Sequence, residues 1–421
     1  MTDAALPMAD ARARTGARPG TEERRPMTQR SLNDDILRLL DRPGPVWIAA
    51  FALDLVVLLI GALALRNEIV LGLGVGGWTR PVMWASYITN FVFWVGIAHC
   101  GTLVSAILFL FRSHFRRAVY RVAEAMTVFG VLTAGIFPLI HTGRPWFGYW
   151  LVPYPSQRQL WPNFRSPLEW DVFAVTTYLT LSSIFFVVGL IPDVAAARDR
   201  ATNRVSRTLY TLLSFGWTGG NRQWKHFYGA YLYFAALCTP LVLSVHSVVS
   251  WDFAMAQNPG WHNTIFAPYF VAGAIFSGFA MVVTLLVILR KVFHMEEYVT
   301  LPHLENMNKI ILATGMMVGY AYATEFFVAM YSGNPYERFT IIVTSLHRDF
   351  LPPNWSYYKP TIFDFSVIAG SFGFFFMWFL LFCRFFPAIS MAEIKSVLWT
   401  AKKTEAAARE HPRAQEAVHV P

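Results

Sequence analysis

Long apolar stretches recur along almost the whole chain. A helix needs about 20 mainly apolar residues to cross the hydrocarbon core of a bilayer. Stretches of this kind occupy eight segments: 46–65, 81–111, 118–140, 171–193, 227–250, 264–291, 307–331 and 361–386. The pattern therefore predicts an all-α polytopic membrane protein with about eight transmembrane helices.

The composition agrees with this prediction. Hydrophobic residues make up 55% of the chain and charged residues 14%, whereas about a quarter of an ordinary soluble domain is charged. Residues 1–45 contain no apolar core, so we expect a flexible basic cytoplasmic tail there that ends in a short surface helix around Asp34–Leu40, with neither a secretory signal nor a span. We divide the rest into a first helical bundle at 46–250, a second bundle at 251–390 and a cytoplasmic tail at 391–421.

The distribution of Lys and Arg orients the predicted helices. With the N-terminus inside, 27 of the 35 basic residues fall in inside segments and eight in outside segments. Positively charged loops are retained in the cytoplasm, so both termini are predicted to be cytoplasmic. The net charge of +9 then reflects topology and requires no nucleic-acid partner.

A charge within an apolar stretch costs about 3 kcal/mol to insert, and we single out seven ionisable residues within the stretches or near their ends as functional candidates. They are Asp54, His99, His141, Asp171, His246, Asp252 and Glu325. His141 ends the third predicted span, Asp171 begins the fourth, and His246 and Asp252 close the fifth. We therefore expect these four residues to converge at the outer face.

Imidazole and carboxylate groups at one depth suit a two-electron, two-proton donor such as a quinol, because each can accept a hydroxyl proton. The alternative is that Asp171 and Asp252 are helix-end residues facing water. Asp171, Tyr178 and Ser182 follow one face of the fourth predicted helix. That polar line favours an inward-facing role for Asp171.

Membrane histidines also raise the possibility of haem. His99 lies 18 residues into its span, about 27 Å from Pro81 along a helix, whereas His246 is four residues from an outer end. We expect the two to differ in depth and to be unable to share a haem. The three cysteines show no CxxC or CxxCH spacing, so we expect no haem, iron–sulfur cluster or metal in this chain.

Three of the ionisable residues, Asp54, His99 and Glu325, are predicted near mid-membrane, with hydroxyl-bearing residues such as Tyr322 around them. Such rows can pass protons through a bundle, or they can hold helices together by interhelical hydrogen bonds. Both interpretations remain open from the sequence.

Several long motifs resemble those of one membrane-protein family. They are HTGRPW (141–146), LWPNFRSPLEWDVFAV (160–175), GLIPDVAAARD (189–199), TPLVLSVHSVVSWDFA (239–254), EFFVAMYSGN (325–334) and TSLHRDFLPPNWSYY (344–358). They resemble the NrfD-like integral membrane subunits, and within that group the larger quinol-binding membrane subunit of alternative complex III. The resemblance spans about residues 45–400.

The resemblance implies a cofactor-free subunit of a bacterial inner-membrane complex, which oxidises menaquinol or ubiquinol at the outer face. Its implied partners are an iron–sulfur subunit, multihaem and monohaem cytochromes, and a second NrfD-like membrane subunit. The resemblance also implies that electrons pass on to cytochrome c or a terminal oxidase. It further allows proton translocation coupled to this electron transfer. The implied quinol pocket maps onto His141, Asp171 and Asp252, and we add Arg144 and Trp146 of the HTGRPW motif. The implied proton path comprises Asp54, His99, His246, Tyr322 and Glu325.

One departure from the family pattern concerns the helix count. The family usually has ten spans, with two four-helix bundles flanked by single helices. Here YSGNPY (331–336) runs directly into ERFTIIV (337–343), where relatives have two further helices. We therefore expect a shortened second bundle and an intact quinol pocket in the first.

Two other functions remain open from the sequence. One is the membrane anchor of a molybdopterin-type polysulfide or nitrite reductase. The other is an ion-coupled transporter, because ionisable residues inside a bundle also mark ion paths.

Overall fold

The computed structural model describes residues 29–41, 43–79, 82, 85–113, 115–155, 158, 162–256, 264–331 and 351–395. Within these ranges the regular structure is helical throughout, with no β-strand. The predicted junction between YSGNPY and ERFTIIV, like most of both predicted tails, lies outside the described residues.

Eleven α-helices make up the described part of the chain. They are α1 (Gln29–Leu37), α2 (Pro45–Leu71), α3 (Ala85–Leu110), α4 (Arg116–Ala134), α5 (Ile136–His141), α6 (Pro167–Arg200), α7 (Arg204–Leu213), α8 (Asn221–Ala254), α9 (Phe266–Val292), α10 (Leu301–Tyr331) and α11 (Ile362–Phe385). Eight spans are long and apolar enough to cross a membrane, with α4 and α5 together forming one of them. This confirms the predicted all-α polytopic fold.

Helices α6 and α8 run well beyond their predicted spans of 171–193 and 227–250. An apolar stretch marks the part of a helix inside the hydrocarbon, and polar turns can continue the same helix into the headgroup region. Span ends taken from hydropathy are therefore too short at both helices.

The centre of the bundle is α3, which is buried along most of its length. Helices α4, α8 and α9 pack directly against it, and α6 packs against α4 and α8. Small residues allow this close approach. A β-carbon on Gly101 would overlap the Ala123 carbonyl oxygen of α4, and one on Gly278 of α9 would overlap the Cys100 β-carbon.

The first and last spans pack side by side at the edge of the bundle. A β-carbon on Gly61 of α2 would overlap the α-carbon of Gly370 on α11. Helix α10 packs mainly on α9, which in turn contacts α3 and α8. Helices from both sides of residue 250 thus pack together, and a division into two bundles there stays a prediction.

We name the two ends of the bundle by what they carry. The site end is where α2, α5, α8 and α10 end and α3, α6, α9 and α11 begin, and the tail end is the opposite one. At the tail end, α1 is folded against the bundle, with Leu32 and Ile36 fully buried. Residues 29–41 of the predicted flexible tail are therefore ordered. Assignment of these ends to the two sides of the membrane stays a prediction.

Candidate functional site

Two acidic residues meet at the site end. Helix α6 starts at Pro167, which places Asp171 in its second turn, and α8 continues to Ala254, which places Asp252 in its last turn. The residues that precede them, Trp170 and Trp251, form an edge-to-face ring pair with centroids 6.0 Å apart. The carboxyl groups of Asp171 and Asp252 lie close enough for the charge of one to affect the other.

The environment of this acid pair is poor in donors. Asp171 is buried and Asp252 half-buried. Neither oxygen of Asp171, nor Oδ1 of Asp252, accepts a hydrogen bond from an N–H or O–H group of the described residues. Two neighbouring carboxyl groups with few donors around them favour a state in which one of them is protonated, as in other carboxyl dyads. The arrangement can therefore hold and exchange a proton.

A second pair of titratable groups lies deeper in the bundle. The imidazole rings of His99 on α3 and His246 on α8 have centroids 4.8 Å apart, tilted by 58°. Both side chains are buried. Nε2 of His99 and Nδ1 of His246 have no hydrogen-bond partner among the described residues.

The predicted difference in depth between these histidines is wrong. Helix α3 starts at Ala85 instead of residue 81, and α8 ends at Ala254 instead of residue 250. Those shifts reduce the expected difference in depth between His99 and His246 from about 21 Å to about 9 Å. Tilt of the two helices can bring the rings together across the remaining difference. A difference in depth therefore gives no reason to exclude a haem shared by these two histidines. In the structure the two rings lie against each other, with centroids 4.8 Å apart. Among the described residues, no group of three or more His, Cys, Asp or Glu is arranged to hold a metal ion.

The predicted polar line on α6 faces the bundle interior. Tyr178 is buried, and its hydroxyl donates to the carbonyl of Ala98, at 2.7 Å. One turn further along, the hydroxyls of Ser182 and Thr102 lie 3.1 Å apart. Together with Asp171, these side chains extend polar contacts from the site end towards the middle of the bundle.

His141 ends α5 at the same end of the bundle. The next residue, Thr142, donates from Oγ1 to the carbonyl of Leu139, at 2.7 Å. Gly143 has φ +76° and packs against Leu73 of the α2 to α3 connection. Neither the acid pair nor the histidine pair includes His141. Its predicted grouping with the two acids stays a prediction.

The other predicted quinol contacts, Arg144 and Trp146, lie on the surface. Trp146 is 61% exposed, on a 3-10 helix over Pro145–Leu151. This places both residues where they could contact a partner protein as readily as a quinol.

The remaining predicted proton-path residues are peripheral. Asp54 lies half-buried on α2, and its Oδ2 has no partner among the described residues. Tyr322 of α10 is exposed, with its ring 5.3 Å from that of Tyr269 on α9, and Glu325 is half-buried on the same helix. The structure groups His99 with His246, whereas Asp54, Tyr322 and Glu325 lie on the outer helices α2 and α10.

A buried charged network that was not predicted from the sequence lies at the tail end. Arg121 of α4 pairs with Asp193 of α6 at 2.9 Å. Glu124 accepts hydrogen bonds from the hydroxyls of Ser105 and Tyr231, at 2.5 and 2.6 Å. The signal was available, because Arg121 and Glu124 stand at i and i+3 inside the predicted span 118–140.

The same network reaches the segment that follows α11. The guanidinium of Arg116 pairs with Glu393 at 2.6 Å and donates to the Tyr231 hydroxyl at 2.6 Å. The backbone N–H of Ala392 donates to Asp193 at 3.1 Å. Residues of the predicted C-terminal tail thus cover the charged network.

A second missed cluster lies at the site end. The hydroxyl of Tyr87 donates to buried Glu68. Asp364, at the start of α11, accepts from Ser86 at 2.9 Å and from Trp78 Nε1 at 3.2 Å. Glu68 escaped notice because it lies beyond the predicted end of the first span at residue 65.

Comparison with known proteins places this architecture in a family. The family described as polysulphide reductase, NrfD, matches residues 74–388, a range that contains both acids and both histidines. A putative membrane subunit of dimethyl sulfoxide reductase from Halobacterium salinarum is 28% identical over 240 residues. That similarity covers 56% of this chain and 50% of the relative, so the chain spans about half the length of this curated relative. The chain therefore belongs to the NrfD family of polytopic membrane proteins.

Proposed function

We propose that this protein is the quinone-reactive membrane subunit of a multisubunit oxidoreductase, with its site at the Asp171 and Asp252 pair. The single observation that carries the proposal is the proximity of these two acids at the site end, where the described residues offer Asp171 no hydrogen-bond donor. A quinol delivers two protons with its two electrons. A carboxyl pair that shares one proton provides an acceptor for such a proton.

The chemistry divides between this chain and a partner. Oxidation of menaquinol or ubiquinol to the quinone releases two electrons and two protons. One hydroxyl proton passes to the acid pair, and the second to His141 at the same end of the bundle. The two electrons leave for the redox centre of an iron–sulfur protein docked at this end.

Exposed aromatic side chains at the site end supply a surface for that partner. Trp146, Tyr149 and Trp150 are each more than half exposed, on the 3-10 helix Pro145–Leu151. Aromatic residues of this kind are enriched in protein interfaces. An electron acceptor docked there would stand next to the acid pair.

Family and relative together favour a reductase as the whole complex. The relative from Halobacterium salinarum is named as the membrane subunit of a dimethyl sulfoxide reductase. We therefore favour the membrane anchor of a molybdopterin-type reductase over alternative complex III, the more specific expectation from the motifs. In this role the chain oxidises quinol, and the electrons pass through an iron–sulfur protein to a molybdopterin subunit.

Alternative complex III is the second candidate, because the motifs at 160–175 and 344–358 resemble its larger membrane subunit. Its cytochrome partners distinguish the two. The intact complex purified with this chain should contain molybdenum and little haem in the first case. Abundant c-type haem without molybdenum would identify the second.

Conservative substitution of the acids tests the site itself. Asp171→Asn and Asp252→Asn keep size and polarity but cannot take up a proton, so each should lower quinol oxidation by the complex at least about 100-fold. Asp199→Asn is the matched control, since Asp199 lies on the same helix at the tail end and is 69% exposed. Steady-state turnover with a water-soluble quinol, with assembly checked by gel filtration, gives the readout. Normal turnover in both site variants would remove the basis of the proposal.

A further inference from the structure

Helix α7 is a short amphipathic helix fixed at the tail end. Its first turn is capped by Asn203, whose side chain accepts from the N–H of Val205, at 3.0 Å. Arg198 of α6 donates to Ser214 Oγ, at 3.3 Å, just after α7 ends. The Tyr210 hydroxyl donates to the carbonyl of Phe385, at 2.9 Å. With 10 residues, α7 is too short to cross a membrane and is held where α6 and α11 end.

One face of α7 presents apolar side chains away from the protein. Val205, Leu209 and Leu212 stand at i, i+4 and i+7 and are 65%, 53% and 68% exposed. Phe215, just beyond the helix, is 70% exposed and has φ +47°, a left-handed conformation that residues with a β-carbon rarely adopt. Exposure of this apolar surface to water is unfavourable, so we expect it to contact an apolar phase or an apolar partner.

Exposed basic side chains flank this apolar face. Arg204 and Arg207 are exposed on the helix, and Arg222 and Lys225 are exposed in the first two turns of α8. No acidic residue occurs between 201 and 251. None of the four basic residues forms an ion pair within the described part of the chain. The complementary partner is an anion.

An aromatic cluster marks the depth of this region. Trp217 and Trp224 have ring centroids 4.9 Å apart, and Tyr228 stacks on Trp224 at 5.8 Å. Tryptophan and tyrosine concentrate at the level of the lipid headgroups. Helix α7 precedes this cluster directly in the chain and therefore lies near the same level.

We propose that α7 and the turn after it bind anionic phospholipid of the tail-end leaflet. Val205, Leu209, Leu212 and Phe215 enter the acyl-chain boundary, and the neighbouring arginines contact headgroup phosphates. A helix in the plane of the interface, apolar on one face and basic on another, binds in this way, and its affinity depends on lipid charge. The proposal concerns the tail end and is independent of the quinone site.

Hydrogen exchange in nanodiscs tests the site on the full chain. Amide exchange across 204–216 is measured by mass spectrometry in phosphatidylcholine discs containing increasing fractions of phosphatidylglycerol. We expect phosphatidylglycerol to slow exchange in this segment, and added salt to weaken the effect by screening. The double variant Arg204→Gln with Arg207→Gln should need about tenfold more phosphatidylglycerol for the same protection. Leu209→Gln with Leu212→Gln should lose protection in both disc types.

The control variant removes the same charge from the opposite end of the bundle. Arg66 and Arg165 are exposed at the site end, so Arg66→Gln with Arg165→Gln should leave the response of 204–216 unchanged. Equal exchange with and without phosphatidylglycerol would overturn the proposal. So would protection by inorganic phosphate in phosphatidylcholine discs, which would indicate a soluble anion. Protection that appears only after assembly with partner proteins would overturn it too, by showing that a protein covers α7.

Discussion

At the scale of single residues, the buried acid Glu68 depends on one hydroxyl donor within the described part of the chain. Glu68 is 1% exposed and accepts the hydroxyl of Tyr87, while its Oε1 has no partner among the described residues. Loss of a donor from a buried acceptor leaves that acceptor with its full desolvation cost. Tyr87 is therefore important for stability through its hydroxyl group, beyond the packing of its ring.

Removal of the Tyr87 hydroxyl should therefore lower the stability of the protein. Tyr87→Phe keeps the ring and its edge contact with Phe137 (centroids 5.9 Å apart), yet should destabilise the protein by about 1–3 kcal/mol. Tyr233→Phe is the control, because Tyr233 is 74% exposed on α8 and should unfold like the unmodified protein. Thermal unfolding in detergent, followed by circular dichroism, measures the difference. Equal midpoints for both variants would show that the hydroxyl adds nothing.

At the scale of helices, charged contacts at the tail end join α4 to α6 and to the segment after α11. Arg121 is buried between Asp193 and Glu124, with nitrogen to oxygen distances of 2.9 and 3.4 Å. A buried ion pair adds little over a well-packed apolar pair, but loss of one partner leaves an uncompensated charge. The network therefore makes the arrangement of these helices specific.

Arg121→Met tests this network. The substitution strands two buried acids and should cost about 3–5 kcal/mol. Arg200→Met is the matched comparison, since Arg200 pairs with Asp34 and Asp41, both more than 60% exposed, and such surface pairs contribute about 0–1 kcal/mol. Unfolding midpoints of the two variants should differ by several degrees. A shift of similar size in both would mean that the interior pair is not specially stabilising.

At the scale of the whole molecule, the two ends of the bundle differ in chemistry. The site end carries the acid pair and exposed aromatic residues, and the tail end carries α7 with its arginines. The excess of basic residues predicts that the tail end faces the cytoplasm. That orientation would put quinol chemistry on the outer side of the membrane.

Cysteine labelling can check the orientation. The native cysteines, Cys100, Cys238 and Cys383, are buried, so background labelling should be low. Tyr149→Cys introduces a thiol at an exposed position of the site end, and Asp199→Cys does so at the tail end. A membrane-impermeant maleimide should label the first in intact spheroplasts and the second after permeabilisation. The reverse labelling pattern would show that the site end faces the cytoplasm.

The sequence predicts the helices of this molecule better than it predicts which side chains of different helices contact each other. Eight spans follow from apolar length alone, and Asp171 and Asp252 follow because a helix end places each at the same side of the membrane. The contact of His99 with His246 was missed, since errors of four residues at each span end shift the expected depth by about 12 Å. Glu124 was missed although Arg121 stands three residues before it in the same span, and Glu68 was missed because it lies beyond the predicted end of the first span. The hydroxyl donors of these acids, Tyr231 and Tyr87, lie on other helices. No periodicity along a chain reveals such partners.

The pairing of α2 with α11 has a consequence for biogenesis. The ribosome makes α2 well before α11, so α2 enters the bilayer before α11 exists. Helix α2 can remain unpaired in the bilayer because it is the most apolar of the eight described spans. Lipid tails solvate such an apolar surface as well as a neighbouring helix does. Closure of the Gly61 and Gly370 contact would then be a late step of assembly.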